Sequence, residues 1–202
     1  MDLDIYDFDK TVVPFDSGST FLIFCFLRYP YLWLLLPYYM VAALLFGLRI
    51  LSLAQFKKHI FLFVRFVPLE KAVKAFWDKH ENDVFPWFLP ENRARYTVVI
   101  SASPDFLLKE IAERLKIDTL LCTHHDAKSG TLLGENCRGE EKVRRFYEIF
   151  PKDAAVQCVY SDSYRHDRPI FSLGKQCFHI EKDGTRTPFD YKEKYTKKDE
   201  IV

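Results

Sequence analysis

From Tyr29 to Leu48 the chain runs without a single charged side chain, and no other feature limits the possible folds so strongly. As one helix, that length would cross a bilayer. A single crossing would divide the chain's polar strand ends between two compartments. Asp7 lies before the stretch, whereas Ser101, Lys142 and Asp162 lie after it, so if these residues share a site the chain must return. A second span is missing, because residues 54–90 carry Lys57, Lys58, Arg65, Glu70, Lys71 and Lys74. The whole apolar block, residues 21–53, falls short of the roughly 40 residues that two spans need, and Pro37 near its centre breaks or kinks a helix. Two forms remain: a re-entrant or interfacial helical hairpin, and a soluble cap whose apolar face packs on itself or on a second subunit. The Trp and Tyr residues flanked by Arg favour contact with a membrane surface.

Around this block the pattern is strand, helix, strand. Leu3-Asp4-Ile5-Tyr6 reads as a first strand, and the apolar block passes into an amphipathic helical stretch through Phe56, Ile60, Phe63 and Val64 past Phe76 and Trp77. Pro86 and Pro90 mark its exit. Thr97–Ile100 is a second strand ending at Ser101-Ala102-Ser103-Pro104, with Pro104 opening a helix that carries Phe106, Leu107, Ile111 and Leu115. Leu120-Leu121-Cys122 is a third strand, and Ser129-Gly130 predicts a hairpin over residues 121–135. A helix over 140–150, a strand at Val156–Tyr160 ending near Asp162, a last strand at 176–180 and a charged tail from Tyr191 complete the reading. Alternation of this kind predicts an α/β fold: a Rossmann-like, mainly parallel sheet flanked by helices, with a helical cap inserted after the first strand. The core is expected at 1–15 and 89–202, and the apolar cap at 16–88.

The formal net charge of +1 provides no electrostatic case for nucleic-acid binding. Five dispersed cysteines without a C-x-x-C pair are read as reduced, buried thiols of a cytosolic protein. The acidic start Met1-Asp2-Leu3-Asp4 lacks the basic region of a secretory signal.

Ligands of open parallel sheets bind beyond the carboxyl ends of the strands, where this chain carries Asp7, Asp9, Ser101 and Asp162, with Lys142 on an intervening helix. A carboxylate can attack phosphorus and split one hard hydrolysis into two easier steps. A second carboxyl two residues on can protonate the leaving oxygen and then activate water. Clustered acids need a hard cation with oxygen ligands, and Mg²⁺ is the usual choice with phosphate. A lysine and a serine hydroxyl offset and hold the phosphoryl oxygens.

The motif Asp7-Phe8-Asp9-Lys10-Thr11, then Ser101, Lys142 and the pair Asp162/Asp167, resembles in order the four motifs of the haloacid dehalogenase superfamily. The resemblance implies Asp7 as nucleophile and Mg²⁺ ligand, and Asp9 as general acid/base that also binds the metal through its carbonyl. It implies Asp162 as a metal ligand and Asp167 as the group holding the lysine or a metal-bound water. Phe8, Thr11, Ser101, Ala102 and Lys142 are expected at the phosphoryl group, with Thr11 supporting the first loop. Two departures stand out: Ser161 where Gly often precedes the fourth-motif Asp, and a spacing of five from Asp162 to Asp167 where four is common. A P-type ATPase would carry Gly-Thr after Thr11, where Val12-Val13 stands. His124-His125 has no metal-site spacing and reads as exposed polar surface.

A cap between the first strand and the second motif marks the phosphoserine-phosphatase-like branch. Within it, Ile100-Ser101-Ala102-Ser103-Pro104, Tyr160-Ser161-Asp162-Ser163 and an apolar cap resemble bacterial phosphatidylglycerophosphate phosphatases. The expected activity is therefore Mg²⁺-dependent hydrolysis of a lipid phosphomonoester by a cytoplasmic protein, peripheral on the inner face of the membrane. A small soluble phosphomonoester of the phosphoserine kind is the alternative, with Arg28, Arg49, Lys57 and Arg65 as the nearest cap cations. A membrane-associated non-catalytic binding module is the alternative of another class. The oligomeric state stays open.

Overall fold

Strand β1 (Asp2–Tyr6) lies at the middle of the sheet, and its alternate residues feed two different cores. Leu3 and Ile5 join Val98, Ile100, Val159, Phe146 and Phe171 on one face. Tyr6 joins Val99, Leu107, Phe76, Trp77 and Tyr160 on the other. The computed structural model describes residues 2–199, apart from the side chains of Leu53, Ala54, Lys57, Lys58 and residues 196–199.

The sheet also contains β2 (Tyr96–Pro104), β3 (Thr119–Thr123), β4 (Ala155–Ser161), β5 (Gln176–Ile180) and β6 (Arg186–Phe189), in the order β3-β2-β1-β4-β5-β6. All neighbours pair in parallel except β5 and β6, which are antiparallel. The chain builds β2 and β3 on one side of β1 and then crosses to β4 on the other. The crevice beyond the ends of β1 and β4 is therefore the point where ligands of such sheets bind.

Helices α1 (Ser17–Arg28), α2 (Leu36–Gly47), α3 (Leu53–Ile60) and α4 (Leu69–His80) lie between β1 and β2. Asp16 caps α1, accepting the Ser19 N–H at 2.8 Å. The amphipathic helical stretch expected through Phe56 and Trp77 is formed by α3 and α4. Between them Phe61–Phe66 forms a 3-10 segment, in which Phe61, Phe63 and Val64 are all buried. Pro68 then caps α4. Pro37 sits in the first turn of α2, where its missing N–H costs no helical bond, and Pro30–Leu35 before it is again 3-10.

Phe21, Phe63, Phe76 and Trp77 share one apolar cluster with Phe8, Val99 and Leu107 of the sheet side, and the Trp77 indole donates to the Leu107 carbonyl at 2.8 Å. Helix α2 contrasts with this. Only Ala42 in it is buried, Met40 and Leu44 are 65% and 62% exposed, and Leu34 in the segment before it is 84% exposed. The stretch Pro30–Gly47 is long and apolar enough to cross a membrane, and 11% of it is buried. Ile23, Leu27, Leu48 and Ile50 extend the same apolar exposure.

Four further α-helices follow among the described residues. Helices α5 (Asp105–Arg114) and α6 (Glu140–Ile149) lead into β3 and β4. Helix α7 (Arg168–Phe171) precedes β5, and α8 (Tyr191–Asp199) occupies the tail that carries no apolar periodicity. The hairpin expected over 121–135 reduces to one antiparallel bridge between His125 and Leu132, because Leu121–Thr123 belongs to β3. His125 is not the exposed polar residue its neighbours suggest. It is 5% exposed, with its ring 5.1 Å from Phe61 and 5.9 Å from Phe106, while His124 remains at the surface. All five cysteines are free and buried.

Gly130 closes this loop at φ 70, and a Cβ there would lie 2.0 Å from the Phe61 carbonyl oxygen. Gly130→Ala should therefore cost about 2–4 kcal/mol, from the left-handed backbone and the forced separation of loop and Phe61. Chemical denaturation measures this; a loss under about 1 kcal/mol would mean that the contact relaxes freely.

Candidate active site

The carboxyl ends of β1, β2 and β4 and the first turn of α6 converge on a cleft of ≈ 310 Å³. Asp7, Asp9, Ser101, Ala102, Lys142, Asp162 and Asp167 all line it. Seven of the nine expected site residues thus meet, from segments as far as 160 residues apart in sequence.

Lys142 is the organising charge. It is 3% exposed, and its Nζ lies 2.7 Å from Asp7 Oδ1 and 2.6 Å from Asp167 Oδ1. Helix α6 delivers it there because Gly139, at φ 60 and ψ −129, turns the chain sharply into the helix. Such a backbone is open almost only to glycine. Arg145, one turn on, fastens the preceding loop by donating to the Cys122 carbonyl at 2.5 Å and the Glu135 carbonyl at 2.7 Å.

Asp7 extends β1 by one residue, with its N–H on the Tyr160 carbonyl at 2.9 Å. Burial pushes its carboxyl upward, against the pull of Lys142, and Asp167 and Asp9 add in the same direction. Burial alone would lower Lys142, but Asp7 and Asp167 together hold its ammonium above the ordinary value. Asp162 is also raised, first by burial and then by Asp167. The Ser161 hydroxyl donates to Asp167 Oδ2 at 2.5 Å.

Asp9 faces a different set of partners. Its Oδ1 accepts the Ser17 N–H at 2.9 Å, and its Oδ2 accepts the Ser103 hydroxyl, which itself accepts from Ser17 Oγ at 3.1 Å. Burial, with Asp16 adding, raises the Asp9 carboxyl above its usual range. A shift in this direction favours the protonated form, the form that can donate to a leaving oxygen.

Two expected residues are not on the cleft wall. Phe8 is fully buried, its ring edge-on to Trp77 at 5.9 Å, so its side chain belongs to the core. Thr11 is fully buried, and its Oγ1 accepts the Asp162 N–H at 3.0 Å, tying the first loop to the fourth. The cap cations Arg28, Arg49 and Arg65 do not line the cleft either, and the Lys57 side chain lies outside the described residues. The positive groups on the wall besides Lys142 are Lys10 and Arg138, with His166 beside them.

Sequence reasoning missed Ser17, Ser103, Ser161, Arg138 and His166. For Ser103 a signal existed: in a strand, residues two apart share a face, so Ser101 brings Ser103 with it. No local pattern points to the others.

The residues present fit a divalent cation. Asp7, Asp162 and Asp167 each offer an oxygen within 4.8 Å of the others, and the single ammonium of Lys142 leaves three carboxylates under-neutralised. Oxygen donors of this kind suit a hard ion. Asp167 already serves Lys142 and Ser161, so Asp7 and Asp162 have the more available oxygens.

The haloacid dehalogenase-like hydrolase family matches residues 5–172. Protein CicA of Caulobacter vibrioides (strain NA1000 / CB15N) is 35% identical over 71 residues, 33% of this chain and 32% of that protein. The match therefore spans about a third of that relative's length. A protein of unknown function from Bordetella pertussis Tohama I superposes with TM-score 0.63 at 18% identity, over 87% of this chain and 88% of that one. An unliganded probable phosphoserine phosphatase from Vibrio cholerae gives TM-score 0.62 at 12% identity, over 87% and 55%. A phosphoserine phosphohydrolase-like protein from Francisella tularensis subsp. tularensis SCHU S4 gives 0.56 at 15%, over 88% and 86%. Identities this low speak for a shared fold alone.

Proposed function

The chain belongs to the haloacid dehalogenase-like hydrolase family, and on that premise we propose that it hydrolyses phosphomonoesters through an aspartyl-phosphate on Asp7. The observation that carries this reading is the buried Lys142 bridging Asp7 and Asp167 at 2.7 and 2.6 Å beside Asp162. Lys142 engages one oxygen of Asp7 and leaves the other to attack phosphorus. The P–O bond to the leaving group breaks as the new bond to Asp7 forms, and Asp9 gives its proton to the departing oxygen. Asp9, now a carboxylate held by Ser17 and Ser103, takes a proton from water. The resulting hydroxide displaces Asp7 from phosphorus, releasing phosphate. Ser101 and the backbone beside Ala102 hold the phosphoryl oxygens during both steps.

Asp7 and Asp162 would hold Mg²⁺, with the Asp9 carbonyl as a third donor and Asp167 fixing Lys142. When bound, the ion supplies charge stabilisation for the transferring phosphoryl group and for the acidic cluster.

For the leaving group, the reading we favour is a lipid, such as phosphatidylglycerophosphate, met at the inner face of the membrane by a cytoplasmic enzyme. The exposed apolar run through Leu34, Met40 and Leu44, with Arg28 and Arg49 flanking it, supports this. It is coupled to the cleft: the Tyr39 hydroxyl of α2 donates to the Ile60 carbonyl at 2.9 Å, and Ile60 lines the cleft. The second reading, a small soluble phosphomonoester, is favoured by the cleft's modest ≈ 310 Å³, which takes a head group but no acyl chain.

One panel tests both levels. Aryl phosphate, phosphoserine and phosphatidylglycerophosphate in mixed micelles are assayed with Mg²⁺ and with EDTA, alongside vesicle sedimentation. All turnover should stop in EDTA, and the lipid should be the best substrate. Undiminished turnover in EDTA would exclude the metal. A strong soluble substrate without vesicle binding would exclude the lipid.

A further inference from the structure

We propose that the cleft contains a second anion subsite, centred on Arg138, which binds an oxyanion carried by the leaving group of the substrate. The inference rests on the phosphomonoesterase reading and adds to it the chemical class of the leaving group.

The position of Arg138 is fixed by its backbone surroundings. Just before it, Cys137 donates its N–H to Thr123 Oγ1 at 3.0 Å, and its side chain is fully buried. Arg145 holds the Glu135 carbonyl at 2.7 Å, and the Arg138 N–H itself bonds the Asn136 carbonyl at 2.7 Å. Gly139 follows in a backbone conformation that fixes the entry to α6. An arginine on a loop fastened at this many points presents its side chain from a fixed base, unlike one on a free surface turn.

The charges around it leave Arg138 uncommitted. The cleft wall carries five carboxylates, yet no ion pair joins any of them to Arg138 among the described residues. Asp7 and Asp167 are bound to Lys142, and Asp9 is bound to Ser17 and Ser103. Arg138 is half-buried as a residue on the cleft wall, and a cation so placed is one that a ligand oxyanion can pair with. Its planar fork matches a carboxylate or a phosphodiester with two parallel hydrogen bonds. His166 lies beside it on the wall, on a turn closed by its own N–H to Ser163 Oγ at 3.2 Å. Asp16, contributed from the α1 side of the wall, would repel the same anion and so favours the Arg138 side.

Two sources share this chemistry: the carboxylate of a soluble phosphomonoester, and the phosphodiester of a phospholipid that also bears a terminal phosphomonoester. Matched pairs separate them. 3-Phosphoglycerate and glycerol 3-phosphate differ in the carboxylate; phosphatidylglycerophosphate and phosphatidic acid in mixed micelles differ in the phosphodiester. Within at least one pair the anion-bearing member should have kcat/KM at least about 10-fold higher, expressed mainly in KM. Arg138→Met should collapse that ratio toward one, and Arg138→Lys should restore part of it. The same comparison is made by direct titration of each ligand into Asp7→Asn protein, so that binding is read even without turnover. A ratio near one in both pairs for the unmodified chain overturns the proposal. So does an Arg138→Met ratio equal to that of the parent. Absence of aryl phosphate turnover in the parent would instead count against the phosphatase reading, while the titration still decides the subsite.

Discussion

Asp7→Asn is expected to lower turnover of an aryl phosphate by about 10⁴–10⁶-fold while leaving the chain folded. The amide keeps the shape of the carboxyl and still accepts a hydrogen bond from Lys142, but it lacks the anionic oxygen that attacks phosphorus. Its effect on stability should be small. In the metal-free site three carboxylates compete for one ammonium, so removing one of them relieves repulsion, and Asp167 still pairs with Lys142 at 2.6 Å. Thermal melts in EDTA should therefore show the variant no less stable than the parent. Single-turnover phosphate release measures the chemical step. More than about 1% residual activity would place the nucleophile elsewhere.

Lys142→Met should be the most destabilising change at the site, by about 3–5 kcal/mol near neutral pH in the absence of metal. Methionine fills a similar volume, but the buried Asp7 and Asp167 lose their shared counter-charge. The loss should depend on pH, and its sign follows from the carboxyls. Burial already pushes Asp7 upward, and without the ammonium it rises further, so the folded chain binds more protons than the unfolded one. From the unfolded carboxyl value near 4 up to the raised folded value, stability then falls as pH rises. The gap between variant and parent should be small in acid and widen toward neutrality, and added Mg²⁺ should narrow it. A gap that stays constant with pH would mean that the lysine contributes by packing and not by charge.

The two predictions rest on residues of unequal legibility. Asp7 and Asp9 could be found from sequence because a short apolar strand ending in paired acids is a local signal. Lys142 stood among Arg144, Arg145 and other basic residues, and only its order between Ser101 and Asp162 singled it out. The place of the Phe8 side chain, by contrast, is not given by the motif. Period two in β1 and its extension turn Phe8 away from the cleft and into the core beside Trp77. His125 shows it again: two adjacent histidines next to Asp126 look solvated, yet the Gly130 turn folds one of them between Phe61 and Phe106.

What the amino-acid sequence determined alone was the alternation of elements, the acids at the strand ends and the uncharged run that has to lie between them. Each of these depends on side-chain periodicity or backbone stereochemistry acting within a few residues. Tertiary structure alone decided that Ser17 and Ser103 hold Asp9, that α2 leaves its apolar side uncovered, and that Arg138 stands on the cleft wall with no ion-paired carboxylate among the described residues. Those outcomes depend on which distant segments the parallel sheet brings together, and contacts between groups many tens of residues apart leave no periodic trace in either segment.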